Sequence, residues 1–149
     1  MASAVFRAGV VIVVRHPRRR LVLAFERVDA PGNWQLPQGG INQGEAPIDG
    51  AWRELLEETG LDAEHVVLRR EHPEWLAYEW PPEVRARKSA RDRLGQTQRW
   101  FVFEALTSDI TPTPDGSEFV AWQWVKPRWL IDHVVEWRRG PYRRVLGDL

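Results

Sequence analysis

The strongest constraint on this chain is a run of fixed spacings between residues 39 and 61, which read GGINQGEAPIDGAWRELLEETGL. Glu54, Glu57 and Glu58 stand at i, i+3 and i+4, so on an α-helix their side chains share one face. Carboxylates this close repel one another, and a bound cation removes the repulsion. Their hard oxygen ligands suit Mg²⁺ or Mn²⁺. Because Mg²⁺ is usually held by carboxylates together with phosphate oxygens, the cluster indicates a phosphorylated substrate as well as a metal.

The residues around these carboxylates predict a helix over residues 46–59. Pro47 is tolerated in a first helical turn, and Gly60 suits the left-handed position just after a helix end. The apolar residues that recur at three- and four-residue spacing are predicted to pack inward and to leave the acidic face toward a cleft: Ile48, Ala51, Trp52 and Leu55.

A glycine turn precedes this helix. Residues 37–40 read Pro-Gln-Gly-Gly, and bare backbone in such a turn can approach a metal or a phosphate closely. We interpret Glu45 and Arg53 as a pair that braces the following loop against the helix.

With these residues in place, the stretch resembles the Nudix box, the signature of hydrolases that act on nucleoside diphosphates linked to another group. Every fixed position of the family pattern is filled, by Gly39, Glu45, Arg53, Glu54, Leu55, Glu57, Glu58, Gly60 and Leu61. The alternative is a solvated acidic surface helix, which explains neither the glycines nor the Arg-Glu pair. The resemblance implies the α/β/α Nudix sandwich, a mixed β-sheet between helices, as a single domain over residues 1–149.

The resemblance continues outside the box and points to the RNA pyrophosphohydrolase branch of the family. It is carried by residues 34–42, 95–101, 118–125 and 142–145. This branch is similar both to bacterial enzymes that strip pyrophosphate from triphosphorylated RNA 5′ ends and to asymmetric diadenosine tetraphosphate hydrolases. RNA 5′ ends are therefore the first expectation and a dinucleoside polyphosphate the alternative, since residues 27–34 look somewhat more like the second group. A non-catalytic nucleotide-sensing domain is a third possibility, but such domains usually lose box glutamates.

The resemblance also assigns metal ligands and catalytic residues. Glu54, Glu57 and Glu58 are expected to bind two or three Mg²⁺ ions, with Mn²⁺ as the alternative, and Gly39 is grouped with them. Glu118 matches a fourth acidic ligand that the family takes from a later loop. A metal-activated water is expected to attack phosphorus. The catalytic set is Glu57, Glu54 and Arg53, with Glu57 as first choice for the general base.

Phosphate and base contacts are expected from outside the box. For each arginine a solvated surface role is the alternative, and for Trp137 the alternative is packing into the core. The candidate substrate-binding residues are Arg7, Arg27, Val135, Trp137, Arg138 and Tyr142.

Composition narrows the classes of partner. The chain has 149 residues with 21 basic and 21 acidic side chains, so its formal net charge is zero and bulk electrostatics will not draw it to nucleic acid or membranes. Any attraction to a charged substrate must be local, and neither DNA nor a membrane is expected as a partner. It has no cysteine, which excludes disulfides and a thiol nucleophile. No signal-peptide pattern or membrane-length apolar run is present, so a cytoplasmic location is expected. The sequence allows a monomer or a homodimer.

Hydrophobic periodicity gives a coarse reading of the remaining chain. Helices are predicted over residues 127–137, with Leu130, Ile131, Val134 and Val135 inward, and over residues 142–146. Residues 85–93 are predicted to be an exposed basic loop. Strands are predicted over residues 8–14, 21–26, 66–70, 75–79, 100–106 and 119–125.

Overall fold

A mixed β-sheet forms the centre of the molecule in the computed structural model, which describes residues 5–87 and 93–149. The strands of the described chain are β1 (Phe6–Arg15), β2 (Val22–Arg27), β3 (Trp34–Gln35), β4 (Gln38–Gly40), β5 (Val66–Glu71), β6 (Leu76–Glu79), β7 (Gly95–Ala105) and β8 (Phe119–Val125). Its helices are α1 (Pro47–Thr59), α2 (Pro82–Arg85), α3 (Pro127–His133) and α4 (Arg139–Leu146), with a 3₁₀ turn at Glu136–Arg138.

Strand β1 is the hub of the sheet. It runs parallel to β7 along its whole length and antiparallel to β2 and β4. Strand β2 also pairs with β3 and β8, and β7 also pairs with β5 and β6. Because β4 pairs with residues 9–11 of β1, the glycine turn that precedes α1 is fixed against the middle of the sheet.

Alternate side chains of β1 enter two separate hydrophobic cores, as expected for a strand buried on both faces. Val10 and Ile12 face the core that contains Ala51 and Leu55 of α1. Val11 faces the core that contains residues of α3 and α4. The sheet therefore lies between helices, and the predicted α/β/α arrangement is confirmed.

The bounds of the helix that carries the acidic residues agree with the prediction to within one residue. It begins at Pro47 and ends at Thr59, and Gly60 adopts a left-handed φ of 73°. Ala51 and Leu55 are fully buried, while Ile48 and Trp52 pack at the edge of the same core. This orientation turns the opposite face of α1 toward the glycine turn.

Three elements differ from their predicted bounds by three residues or more, and one of them is helix α4, which begins at Arg139 instead of Tyr142. Helix α3 ends at His133 instead of residue 137, because Val134 is extended, with ψ at 153°, and buries its side chain. Two β-branched residues in succession weaken a helix at this point. Strand β7 starts at Gly95, five residues before the predicted start, since it pairs with all of β1 although its first half is polar.

The basic stretch at residues 85–93 is only partly described. Arg85 closes α2, and residues 88–92 lie outside the described residues, so the loop prediction stays a prediction. Within the described chain, every helix is too short or too polar to cross a lipid bilayer.

Tyr142 lies in the core instead of in a substrate cleft. Its side chain is 2% exposed and meets Trp100 edge to face, with ring centroids 5.2 Å apart. The backbone N–H of Leu36 donates to its hydroxyl oxygen over 2.9 Å. Tyr142 is therefore too deeply enclosed by α4 and the sheet to bind substrate directly, which corrects its predicted role. Its hydroxyl instead supports the β3–β4 connection.

Tyr142→Phe tests this structural role. The change leaves the buried N–H of Leu36 without its acceptor, so we expect the free energy of unfolding to fall by about 1–3 kcal/mol in urea titrations. The value of kcat/KM per folded molecule should stay within a few-fold of wild type. A normal stability with a large loss of kcat/KM would instead show a direct substrate role.

Candidate active site

The guanidinium of Arg53 joins the glycine turn, the following loop and α1. It donates from Nε and Nη2 to the two Glu45 carboxylate oxygens over 2.8 and 2.9 Å, and from Nη2 to the Gly40 carbonyl over 2.8 Å. A further bond from Nη1 reaches Glu54 over 2.7 Å. The ion pair with Arg53 lowers the pKa of Glu45 to about 2 and raises that of Arg53, so both groups stay charged. The predicted brace is present in the structure.

Two glycines allow the turn to pack closely between β1 and α1. A Cβ on Gly9 would stand 2.6 Å from the carbonyl oxygen of Gly39, and a Cβ on Gly39 would overlap the carboxylate of Glu54. Sequence reasoning missed Gly9. Its signal was a glycine inside a strong strand pattern, which often marks a close approach of another backbone.

Glu58 is a buried carboxyl group at the centre of the site. It is 4% exposed, and the backbone N–H of Gln38 donates to its Oε2 over 3.0 Å. Burial, followed by hydrogen bonding and charge from Glu118 and the charge of Glu54, raises the pKa of Glu58 to about 11. Without a cation the group is therefore protonated at neutral pH.

The two remaining box glutamates have different surroundings. Burial raises the pKa of Glu54 despite its bond to Arg53. The Glu57 side chain is 58% exposed and has only a long contact, 3.4 Å, with Arg53. Glu57 is thus the box carboxylate with the freest access to the cleft and to solvent.

These side chains share one acidic cleft with residues from distant parts of the chain. Arg7 packs over Gly40, where an added Cβ would come 2.5 Å from its Nη2, so a positive charge stands at the cleft edge. The structure thus brings together Arg7, Gly39, all three predicted helical ligands and Glu118. The full lining is Arg7, Gln38, Gly39, Gly40, Glu54, Glu57, Glu58, Gln96, Asp115, Ser117 and Glu118.

A second cavity, of about 300 Å³, holds most of the other predicted substrate residues. Trp137 lines this cavity and also packs against Tyr78 and Trp80. The two predicted alternatives for Trp137, a place in a candidate substrate site and packing into a core, therefore occur together. Arg27 lies here and not in the acidic cleft, with its guanidinium bound to Asp29 over 2.8 and 2.9 Å. The lining comprises Arg27, Asp29, Ala30, Asn33, Trp80, Val84, Arg87, Val135, Trp137 and Arg138.

A chain of hydrogen bonds connects the two clefts. The Gln98 amide donates to Gln38 over 3.1 Å and to Gln96 over 2.8 Å, and the hydroxyl of Tyr78 donates to Gln96 over 2.9 Å. Arg138 then donates to Tyr78 over 3.3 Å. Because the backbone N–H of Gln38 also donates to Glu58, this hydrogen-bond network links the second cavity, through Gln38, to the buried carboxyl group. The sequence signal for it was the polar alternation of Gln96 and Gln98 at the start of a buried strand.

Comparison with known proteins assigns the chain to a family. The family model described as the NUDIX domain matches residues 5–145. This chain belongs to the Nudix family. The predicted fold class and the predicted hydrolase class of enzyme are confirmed.

Curated relatives of this Nudix chain match over most of its length. It is 43% identical over 137 residues to an RNA pyrophosphohydrolase of Bartonella clarridgeiae, covering 88% of this chain and 78% of the relative. It is 37% identical over 142 residues to an RNA pyrophosphohydrolase of Cereibacter sphaeroides, covering 93% and 86%. Among solved structures, the E. coli dihydroneopterin triphosphate pyrophosphohydrolase superposes with a TM-score of 0.79 at 22% identity, over 98% of this chain and 100% of that chain. This last likeness concerns the fold alone.

Nudix hydrolases use divalent metal ions, and the donors in this cleft fit such an ion. The donors are all oxygens, as hard cations prefer. Glu58 is buried beside two other carboxyl groups, and Gly39 leaves its backbone open toward them. In residues 5–87 and 93–149, however, no three acidic or histidine side chains are already spaced as ligands of one ion. Arg53 occupies one oxygen of Glu54 in this arrangement.

Gly39→Ala tests the close approach of the turn to α1. The added methyl group would overlap the Glu54 carboxylate, so we expect the Mn²⁺ affinity of the substrate-free protein to fall at least tenfold in calorimetric titrations. Gly140→Ala is the matched control, because a Cβ on Gly140 meets nothing within 4 Å. Equal Mn²⁺ affinity of wild type and Gly39→Ala would contradict the assignment of Gly39.

Glu58→Gln tests the consequence of burying this carboxyl group. The folded pKa of about 11 exceeds the ordinary value of 4.5, so the metal-free folded protein keeps a proton that the unfolded chain releases. The stability of metal-free wild type should therefore fall as pH rises through that interval, and the fall should be smaller in Glu58→Gln.

Thermal unfolding with and without Mg²⁺ measures both effects. Wild type should gain more Tm from Mg²⁺ at pH 8 than at pH 6, because the cation replaces the proton on Glu58. Glu58→Gln should lose most of that gain. An Mg²⁺-induced Tm rise of the same size in both proteins would exclude Glu58 as a ligand.

Proposed function

We propose that this protein removes pyrophosphate from triphosphorylated RNA 5′ ends and leaves a 5′ monophosphate. The observation that carries the proposal is the pairing of two connected clefts. One cleft is acidic and has the Arg7 guanidinium at its edge, as suits a polyphosphate bound through metal ions. The other is lined by tryptophan and arginine side chains, as suits a nucleobase. The names of the curated relatives support the same substrate.

The four glutamates of the acidic cleft would hold the metal. We assign Glu54, Glu57, Glu58 and Glu118 as carboxylate ligands of two or three Mg²⁺ ions, or of Mn²⁺, with the Gly39 carbonyl beside them. When bound, these ions lower the pKa of a water and neutralise phosphate charge. Binding requires Glu54 to share or exchange its bond with Arg53, which remains tied to Glu45 and so keeps the turn in place.

Two side chains of this cleft act on the substrate directly in the proposal. The Arg7 guanidinium has no carboxylate partner in the described part of the chain, so it is available to pair with phosphate oxygens. Glu57 takes the proton of the attacking water, because it is the most exposed box carboxylate. Water adds to a phosphorus of the triphosphate while the bond to pyrophosphate breaks.

The second cavity would bind a nucleobase near the RNA 5′ end. The Trp137 ring offers a stacking surface, and Val135 and Arg138 line the cavity beside it. Arg27 serves this cavity indirectly in the proposal. Its guanidinium is held by Asp29 and Gln35, so it shapes the wall instead of binding phosphate.

A comparison of substrates tests the proposed function. The protein, loaded with Mg²⁺ or Mn²⁺, is offered triphosphorylated RNA, diadenosine tetraphosphate and free nucleoside triphosphates, and kcat/KM and products are measured for each. We expect RNA to have the highest kcat/KM and to yield pyrophosphate and a 5′ monophosphate. Untouched RNA with rapid turnover of the dinucleotide to ATP and AMP would replace the proposal with the second activity.

Two variants belong in the same experiment. Glu57→Gln keeps the size of the side chain and removes its charge, so kcat should fall by orders of magnitude on every substrate. Glu64→Gln makes the same change at an exposed residue after α1, outside the cleft, and should match wild type. Activity of Glu57→Gln within a few-fold of wild type would exclude Glu57 as an essential base or ligand.

A further inference from the structure

Glu118 differs from the other acidic residues of the cleft because no helix positions it. It stands at the end of a loop, directly before β8, and it is exposed. A loop residue of this kind loses considerable conformational freedom if it must hold a metal. The structure shows what restricts it.

The carboxylate of Asp115 binds three consecutive backbone N–H groups. Its Oδ1 accepts from Ser117 over 3.1 Å, from Glu118 over 2.9 Å and from Phe119 over 3.1 Å. Gly116 adopts a left-handed φ of 79° within this turn and donates to the Phe119 carbonyl over 3.0 Å. The turn is thus wrapped around a single carboxylate oxygen.

Asp115 is charged in this position. Burial acts to raise its pKa, but the backbone donors of Glu118, Phe119 and Ser117 outweigh that effect and the pKa is lowered. Hydrogen bonds to an ionised acceptor are roughly twice as strong as neutral ones. The turn is therefore held by the stronger kind of bond.

Anchors on both sides fix the turn relative to the metal cleft. Before it, the Thr113 N–H donates over 2.7 Å to the carbonyl of Thr59, the residue after Glu58. Within it, the Val28 N–H donates to the Glu118 carbonyl over 2.8 Å. After it, Phe119 is fully buried. The backbone of Glu118 is consequently tied to the end of α1 and to the end of β2.

We propose that Asp115 is a positioning residue of the metal centre: by binding the N–H groups of residues 117–119 it fixes Glu118 so that its carboxylate faces Glu58 across the cleft. Asp115 acts through Glu118 and needs no contact with substrate. The inference rests on the proposed metal function of the cleft, and it does not depend on which phosphorylated substrate is used.

Mn²⁺ binding by electron paramagnetic resonance, without substrate, tests the proposal. Asp115→Ala removes the acceptor and should weaken Mn²⁺ binding by roughly tenfold or more, as loss of an outer-shell partner does elsewhere. Asp115→Asn keeps an oxygen that accepts the same N–H bonds, although more weakly than the carboxylate does, and should lose no more than about threefold in Mn²⁺ affinity. Asp109→Ala alters an exposed aspartate of the same loop whose side chain forms no hydrogen bond or ion pair with residues 5–87 or 93–149, and it should match wild type.

A double-mutant cycle with Glu118→Gln separates positioning from other effects. If Asp115 acts through Glu118, Asp115→Ala should weaken Mn²⁺ binding by less than about twofold in the Glu118→Gln background. An equal loss in both backgrounds would overturn the proposal, as would equal losses in Asp115→Asn and Asp115→Ala, which would mark Asp115 as a ligand or a long-range charge.

Thermal unfolding of each metal-free variant controls for folding. If Asp115→Ala does not fold, Asp115→Ser, which retains one short acceptor, takes its place in the cycle; a smaller loss of Mn²⁺ affinity is then expected, and that loss should again disappear in the Glu118→Gln background. Unchanged Mn²⁺ affinity in Glu118→Gln would also overturn the proposal. Failure of RNA hydrolysis with intact Mn²⁺ coupling would instead count against the substrate assignment alone.

Discussion

Burial of the Glu58 carboxyl group is the constraint on which the arrangement of the cleft depends. The helix that carries Glu58 must place Ala51 and Leu55 in the core, and this packing turns Glu58 inward beneath the glycine turn. With Glu54 and Glu118 nearby, the group is stable there only with a proton or a cation. The divalent-ion binding that we propose for the cleft would therefore follow from how α1 packs.

The surrounding residues keep this crowded arrangement from relaxing. Arg53 ties the turn and the loop to α1. Gly9 allows β1 to approach the glycine turn, and Gly39 allows the turn to approach the Glu54 carboxylate. On the far side, the Asp115 carboxylate accepts a hydrogen bond from the backbone N–H of Glu118. Each of these groups restricts a movement by which the carboxylates could separate, and this supports the proposal that the cleft binds a cation.

Local features of the chain were predictable, and features that depend on distant partners were not. Pro47 and Gly60 mark the ends of α1 because caps are local, and the acidic spacing is a property of that helix alone. The start of β7 was hidden because Gln96 and Gln98 face a polar network that only the folded sheet creates. The break at Val134 follows from burial against other elements.

The predicted substrate-binding residues likewise divide into those that the sequence could place and those that it could not. The sequence placed Trp137 and Arg138 together with Val135, and the structure gathers them in one cavity. It could not show that Tyr142 supports Leu36 from within the core, or that Arg27 is held by Asp29. Asp115 carries a local signal, an Asp-Gly turn, but its proposed role depends on the contact between Glu118 and Glu58, which lie more than fifty residues apart in the chain.

Anomalous diffraction from crystals of the protein soaked with Mn²⁺ tests the central claim most directly. The account predicts a manganese peak among the carboxylates of Glu54, Glu58 and Glu118, near the Gly39 carbonyl. It also predicts that Arg53 keeps Glu45 while its bond to Glu54 lengthens or is shared. A cleft without manganese at millimolar concentration, with Glu58 still bound only to Gln38, would contradict it.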